Sequence, residues 1–227
     1  MMRSPAQRHY ERVSAELAAA SAAPGESLAG ASAYELMLAK LATDRRRLKA
    51  IQSIERKIDV KRAELLPEYV DYVAGALSGG RGAQDDVLTT VMIWRIDAGD
   101  FAGALDIARY ALAHRMTLPD QYDRPLATAI AEEFAQAALA AFKLGEAFDA
   151  GQLAEVMTLT GSADMHDQVR AKLHKALGKA LQETDRASAL DHLRRALQLD
   201  ERAGVKQDIA RLETEPGDAT GTKAGRK

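Results

Sequence analysis

Cysteine is absent from the 227 residues, which excludes a disulfide scaffold and any thiolate metal site. Aromatic residues supply only 5% of the chain, and the apolar 47% is mostly Ala and Leu. Such a mix favours helices, because strands draw on β-branched and aromatic side chains. No apolar run approaches the roughly 18 residues of a membrane span. Arg3, Arg8 and His9 are not followed by an apolar stretch, so residues 1–11 do not read as a secretory signal. The phosphate loop of an ATPase is missing too. Gly79-Gly80-Arg81-Gly82 lacks the Lys-Ser/Thr that would hold nucleotide and metal, so any motor work is expected from a partner. An all-α protein of the cytoplasm, away from membranes, is the expectation.

What is present is a charge asymmetry. The net charge is −2, yet residues 1–65 carry 12 basic against 8 acidic side chains, and residues 66–227 carry 19 against 25. A basic front on an acidic body suits a chain that meets a polyanion; charge alone leaves a solvated helix face equally open. Ser4-Pro5 predicts a first helix running to about Ala20, and Pro24, Gly25 and Gly30 mark a loop over 22–31. Ser32 with Glu35 reads as a capping box opening a second helix that continues to Leu65. Met37, Leu41, Leu48, Ile51, Ile58 and Leu65 form a heptad-like stripe along it, interrupted by Asp44, Glu55 and Arg62. Residues 40–62 hold nine basic and three acidic side chains, a net +6. One seam to pair with another helix and basic flanks to meet phosphates is the reading.

Pro67 ends that helix and begins the next, to Leu77. Helical periodicity resumes at Ala83, breaks at Gly99-Asp100, and returns over 102–114, 127–144, 150–160, 164–183, 186–200 and 205–213. The pattern Asp100-x-x-Gly103-Ala104-Leu105-x-x-Ala108-x-x-Ala111-Leu112 is echoed from Asp185 through Ala189, Leu193 and Ala196, which points to local helical-hairpin packing of a repeat-like kind. The chain divides into basic helices over 1–66, a helical body over 67–215 and a disordered basic tail over 216–227.

Candidate chemistry is sparse. The histidines His9, His114, His166, His174 and His192 show no pair at metal-ligand spacing on one helix face. Asp85 and Asp86 with Asp97 and Asp100 form an acidic cluster able in principle to hold Mg²⁺ for phosphodiester hydrolysis. Against this, Asp85 and Asp86 sit in a first helical turn and Asp100 at an N-cap position. Trp94 reads as core. The run Arg45-Arg46-Arg47 fans around a helix, so phosphates or an acidic neighbour are its expected partners. Lys49, Arg56, Lys57 and Lys61 extend the patch, and Arg8 and Arg12, with Gln7, offer side chains to a DNA groove. Phosphate contacts give affinity without sequence information, so base reading is left unassigned.

Ordered blocks carry a family resemblance. Ser4-Pro5-Ala6-Gln7-Arg8-His9, Tyr34-Glu35-x-Met37-Leu38-x-Lys40-Leu41-Ala42-x-Asp44, Leu48-Lys49-Ala50-Ile51, Glu64-Leu65-Leu66-Pro67, Gly82-Ala83-Gln84-Asp85-Asp86, Val91-Met92-Ile93-Trp94-Arg95 and the block from Gly103 to Leu112 resemble the gpM-type small terminase subunit of temperate tailed phages with cohesive ends. The likeness returns at Ala163-Asp164-Met165 and over 169–175. The resemblance implies recognition of double-stranded phage DNA at its end site inside the host bacterium. It also implies work with a large ATPase subunit, and a helical, self-associating architecture. The family carries an endonuclease label, while terminase nuclease and ATPase centres generally lie on the large subunit. No intrinsic cofactor is therefore expected, with Mg²⁺ required only if this chain cuts DNA itself. A helical scaffold that binds no DNA is the third possibility.

Overall fold

A computed structural model describes residues 32–119 and 124–214, together with Ala6, His9, Tyr10, Arg12, Val13, Ser14 and Leu17, which are helical. The Ser4-Pro5 cap, Gln7, Arg8, the loop over 22–31 and the tail over 216–227 lie outside the described residues. The helices are α1 (Ser32–Ala50), α2 (Ile54–Val60), α3 (Val70–Gly79), α4 (Asp86–Ala98), α5 (Phe101–Ala113), α6 (Leu126–Lys143), α7 (Ala150–Leu159), α8 (Asp167–Leu181), α9 (Arg186–Leu199) and α10 (Lys206–Thr214). A π-helical turn (Lys61–Leu65) and a 3-10 turn (Leu66–Glu68) join α2 to α3. No strand occurs among the described residues, and none of their helices is long and apolar enough to cross a membrane. The body helices predicted from periodicity are all found, with ends shifted by a few residues.

Helix α4 is the hub. Ten of its thirteen residues are buried, among them Val87, Leu88, Val91, Met92, Ile93, Trp94 and Ile96. A helix with apolar side chains around most of its circumference has to be enclosed, and α1, α2, α5, α6 and the turns over 61–68 pack around it. Its two buried threonines solve their own hydrogen-bonding problem by donating back to Asp85 and Asp86 carbonyls. Gly99 ends α4 with a left-handed φ of 81°, a conformation that favours glycine, and Asp100 caps α5 immediately after.

The long basic helix predicted over 32–65 is not one helix. Helix α1 stops at Ala50, Ile51–Ser53 is extended or irregular, and Ser53 restarts the chain as the N-cap of α2 by accepting the Arg56 backbone N–H. The π turn follows where Pro67 would otherwise collide with the carbonyl four residues earlier; widening the ladder lets Leu66 donate to Lys61 O instead. The apolar stripe also has a different destination from a coiled coil. Met37, Leu41, Leu48 and Leu65 are buried in one cluster with Val91 and Trp94 of α4, so these side chains are covered by the chain's own body.

The residues interrupting the stripe are attachment points. Asp44 is 7% exposed, accepts the Tyr69 hydroxyl at 2.7 Å and pairs with Lys40 at 2.8 Å. Tyr69 stacks edge-on against Trp94, 5.9 Å between ring centres. Arg62 donates from Nε to the Ala98 carbonyl at the end of α4, 3.0 Å away. Glu55 takes the first turn of α2, where a carboxylate favours the helix dipole.

Two later hairpins explain the echoed sequence pattern. Asp100 and Asp185 occupy equivalent caps, each accepting a backbone N–H three residues on at 3.0 Å. The small residues that follow are buried in both helices. In the α8–α9 pair the approach is close: a Cβ added at Gly178 would lie 2.8 Å from Leu193 Cγ. Helix α10 closes a smaller cluster with Leu193, Val205 and Leu212.

Tyr69→Phe removes one of the two partners of a buried carboxylate. It is expected to lower the unfolding free energy by about 1–3 kcal/mol, read as a lower urea midpoint; an unchanged midpoint would remove this bond from the account of how α1 is held.

Candidate nucleic-acid interface

The break between α1 and α2 exposes an unneutralised basic surface. Residues 46–57 carry five basic side chains and one acid, Glu55. Helix α1 spends its inner row on Tyr34, Met37, Leu41, Asp44 and Leu48, so positions 39, 42–43, 46 and 49–50 face outward by helical spacing. Among the described residues, the exposed Arg46 reaches only the Thr43 hydroxyl at 3.2 Å. Lys49, Arg56 and Lys57 make no ion pair among the described residues. Between them a cleft of about 580 Å³ is lined by Arg47, Ile51, Gln52, Ser53, Arg56, Val60 and Glu64.

The three consecutive arginines, about 100° apart on a helix, divide their roles. Arg45 turns inward; its Nη2 donates to Thr90 Oγ1 on α4 at 2.6 Å, and its Nε is buried without a partner. Arg47 pairs with Glu64 across the cleft. Of the three, Arg46 alone is exposed with no carboxylate beside it among the described residues. Lys61 is likewise committed, to Asp97. Arg12 is exposed beside His9, and Arg8 lies outside the described residues. The predicted DNA-facing set therefore resolves into Arg46, Lys49, Arg56 and Lys57 as free cations, with Arg45, Arg47 and Lys61 engaged in the fold. Sequence reasoning missed Gln52, Ser53 and Ile54, because a heptad register ran straight through them. A helix-start signal was there: Ser53 followed by Glu55 in a first turn.

The four aspartates do not form a cluster. Asp85 and Asp86 stand at the start of α4, Asp97 and Asp100 at its end, roughly 17 Å away at 1.5 Å rise per residue. Spacing along the sequence made them look close; the intervening helix separates them. Asp85 is 2% exposed and caps α4 by accepting the Leu88 N–H at 2.8 Å and the Tyr72 hydroxyl at 2.7 Å. Burial pushes its pKa from 3.8 up to about 6, against the lowering effect of those bonds. Asp86 accepts from the Gln84 side chain, Asp97 pairs with Lys61, and Asp100 pairs with Arg95 at 3.2 Å. Among the described residues no group of three or more His, Asp or Glu is placed to share a metal ion.

One pairing the sequence did not suggest joins α8 to α9. His174 and His192 meet with their Nδ1 atoms 2.9 Å apart. Burial holds His174 down to about 4 and lowers His192 as well, so near neutral pH one ring donates and the other accepts. The pair is invisible to spacing along a single helix.

A family profile described as phage small terminase subunit matches residues 38–168. The whole chain aligns at 52% identity with 93% of the terminase, endonuclease subunit of Escherichia phage P2. At 24% identity, 78% of the chain aligns with 68% of a probable terminase, endonuclease subunit of Haemophilus phage HP1 (strain HP1c1). No solved structure matches.

Asp85→Asn is expected to act through stability. The native state holds the Asp85 proton more tightly than the unfolded state, so its contribution is lost as pH rises from about 4 to about 6. Two units correspond to about 3 kcal/mol. Asn keeps the cap without titrating, so the variant should gain on the parent by up to that amount between pH 4 and pH 7 in urea denaturation. A difference independent of pH would refute the buried-carboxyl account.

Proposed function

The chain belongs to the phage small terminase subunit family, and on that premise we propose that it grips double-stranded viral DNA at the break between α1 and α2. It does so as the partner of a large ATPase subunit in cutting and packaging the genome. The observation that carries the reading is the free basic surface of Arg46, Lys49, Arg56 and Lys57. On the body, Arg109, Arg124, Lys172, Lys179 and Arg194 are each tied to a carboxylate, while the exposed cations with no ion pair among the described residues, such as Arg81, Arg115, Lys143, Arg202 and Lys206, are spread along the sequence. A cation already paired gains little from a phosphate, whereas an unpaired one releases a counterion from the duplex for each contact it makes. The rigid attachment of α1 and the π turn to α4 keeps these side chains in a fixed arrangement, which lowers the ordering cost of binding. Self-association belongs to the same proposal. It has to use surfaces other than the buried stripe, and sedimentation of the full chain with and without a duplex reads it.

A second reading is favoured by the two relatives, each named as an endonuclease subunit: that this chain carries its own nuclease centre, with Mg²⁺ as the metal. The dispersal of Asp85, Asp86, Asp97 and Asp100 along α4 argues for the first. Incubating the chain alone with duplex DNA and Mg²⁺ separates the two; no cleavage is expected, and cleavage would move the nuclease centre onto this subunit.

Replacing Arg46, Lys49, Arg56 and Lys57 together with Ala is expected to weaken binding to any duplex and to flatten the dependence of log affinity on log salt by about 2.7 to 3.6, at roughly 0.9 per phosphate for three or four contacts. Arg47→Ala should change the slope far less. An unchanged slope in the quadruple variant would place the DNA surface elsewhere.

A further inference from the structure

The free cations explain affinity for a polyanion and leave sequence preference unexplained. Three side chains at the same break are exposed and have no hydrogen-bond or ion-pair partner among the described residues. Gln52 is exposed, and its amide makes no hydrogen bond among the described residues. Ile54 is 75% exposed, the joint highest figure among the large apolar side chains that stand out to solvent. The Arg56 guanidinium has no ion pair among the described residues, although its backbone N–H is used by Ser53. An unpaired amide, a bare branched apolar group and a free guanidinium stand within five residues. They are flanked by Arg46 and Lys49 on one side and Lys57 on the other.

An isolated exposed apolar residue is ordinary on a protein surface. An exposed isoleucine in the middle of a basic strip is less easily explained by solvation, because its neighbours are there to attract a polar, charged ligand. Base edges in the major groove supply what each of the three lacks. Adenine offers a donor and acceptor matched to a Gln amide, guanine offers two acceptors matched to a guanidinium, and thymine offers a methyl group for an apolar side chain. The backbone supports the assignment. Ile51–Ser53 leaves the helical path, so Gln52 and Ile54 project from a corner rather than from the side of a continuous rod. Arg46 and Lys49 on α1 and Lys57 on α2 stand to either side of that corner, placed to hold phosphates while the corner enters the groove. The corner is also fixed: Ile51 N donates to Leu48 O at 3.2 Å, and Ser53 caps α2.

We propose that Gln52, Ile54 and Arg56 are the base-reading residues of this chain, contacting base edges while Arg46, Lys49 and Lys57 hold the backbone. This rests on the DNA-binding reading above and adds the division between reading and holding. Gln52 and Ile54 carry the discrimination without carrying the bulk of the affinity, because neither neutralises a phosphate.

The test is selection of duplexes from a pool with 20 randomised base pairs, followed by sequencing of the bound fraction, for the full chain and for Gln52→Ala, Ile54→Ala and Lys49→Ala. Both reading positions are exposed, so the variants should fold, and circular dichroism with thermal denaturation verifies it. The parent chain is expected to enrich a motif. Gln52→Ala and Ile54→Ala are expected to flatten preference at one or two positions each, by about 5- to 150-fold for a bidentate contact and at the low end for a methyl contact. Their affinity for the unselected pool and their salt slope should not move. Lys49→Ala should weaken binding to selected and unselected duplexes alike and keep the motif. If the motif survives intact in both Gln52→Ala and Ile54→Ala, the assignment is overturned. If the parent binds the pool and enriches nothing, the assignment is overturned while the phosphate-binding reading stands. If the parent retains no duplex at low salt, the proposed function itself fails, and this assignment with it.

Discussion

An almost wholly buried helix dictates the layout of this protein. Only Asp86, Arg95 and Asp97 of helix α4 stay partly open to solvent, so the neighbouring segments are arranged to cover the rest. Burying a single Leu, Ile or Met side chain is worth about 1.5–3 kcal/mol, and α4 presents such residues on all sides. The front segment is drawn into that arrangement. Helix α1 gives its apolar stripe to α4, the turns over 61–68 contribute Leu65, and Tyr69 lays its ring against Trp94 while its hydroxyl holds Asp44. Core residues from Tyr34 to Leu177 form one continuous cluster. The basic surface is thus the outside of the core's own wrapping.

That arrangement explains which parts of the molecule were legible in the sequence. Body helices from Asp86 onward were found because they are long apolar or amphipathic runs whose ends carry Asp or Gly signals: Asp85, Asp100 and Asp185 as caps, Gly99 as a stop. The all-α class followed from composition. The segment over 32–65 was misread as a single helix because a heptad stripe is compatible with either a partner helix or the chain's own core. Only tertiary packing decides between them. Asp44 looked like an imperfection in the stripe and is a buried anchor. Arg45, Arg47 and Lys61 looked like phosphate ligands and are bonded within the fold, since a sequence shows a charge but not the distant residue that neutralises it. Thr90, Glu64 and Asp97 lie 17 to 45 positions away from their partners.

The acidic residues carry the same lesson in reverse. Asp85, Asp86, Asp97 and Asp100 are near one another in the text of the sequence and at opposite ends of a rod in space. The His174–His192 contact has the opposite character, being remote in sequence and intimate in space. In both cases the deciding fact is the geometry of a helix: 1.5 Å per residue along it, and closest neighbours supplied by a second helix rather than by the same one.

The attachment of the front segment to α4 has a mechanical consequence. Tyr34 and Arg45 fasten one arm near the start of α4, through the Asp86 N–H and the Thr90 hydroxyl, and Lys61 and Arg62 fasten the other arm at its end, through Asp97 and the Ala98 carbonyl. The corner at Ile51–Ser53 is therefore strung between two fixed pegs on one rod. Thr90 and Asp97 are about 10 Å apart along that rod, so the length of α4 acts as a ruler for the gap between the cations of α1 and those of α2. Lengthening or shortening α4 by a turn would retune that gap without altering any residue that faces solvent.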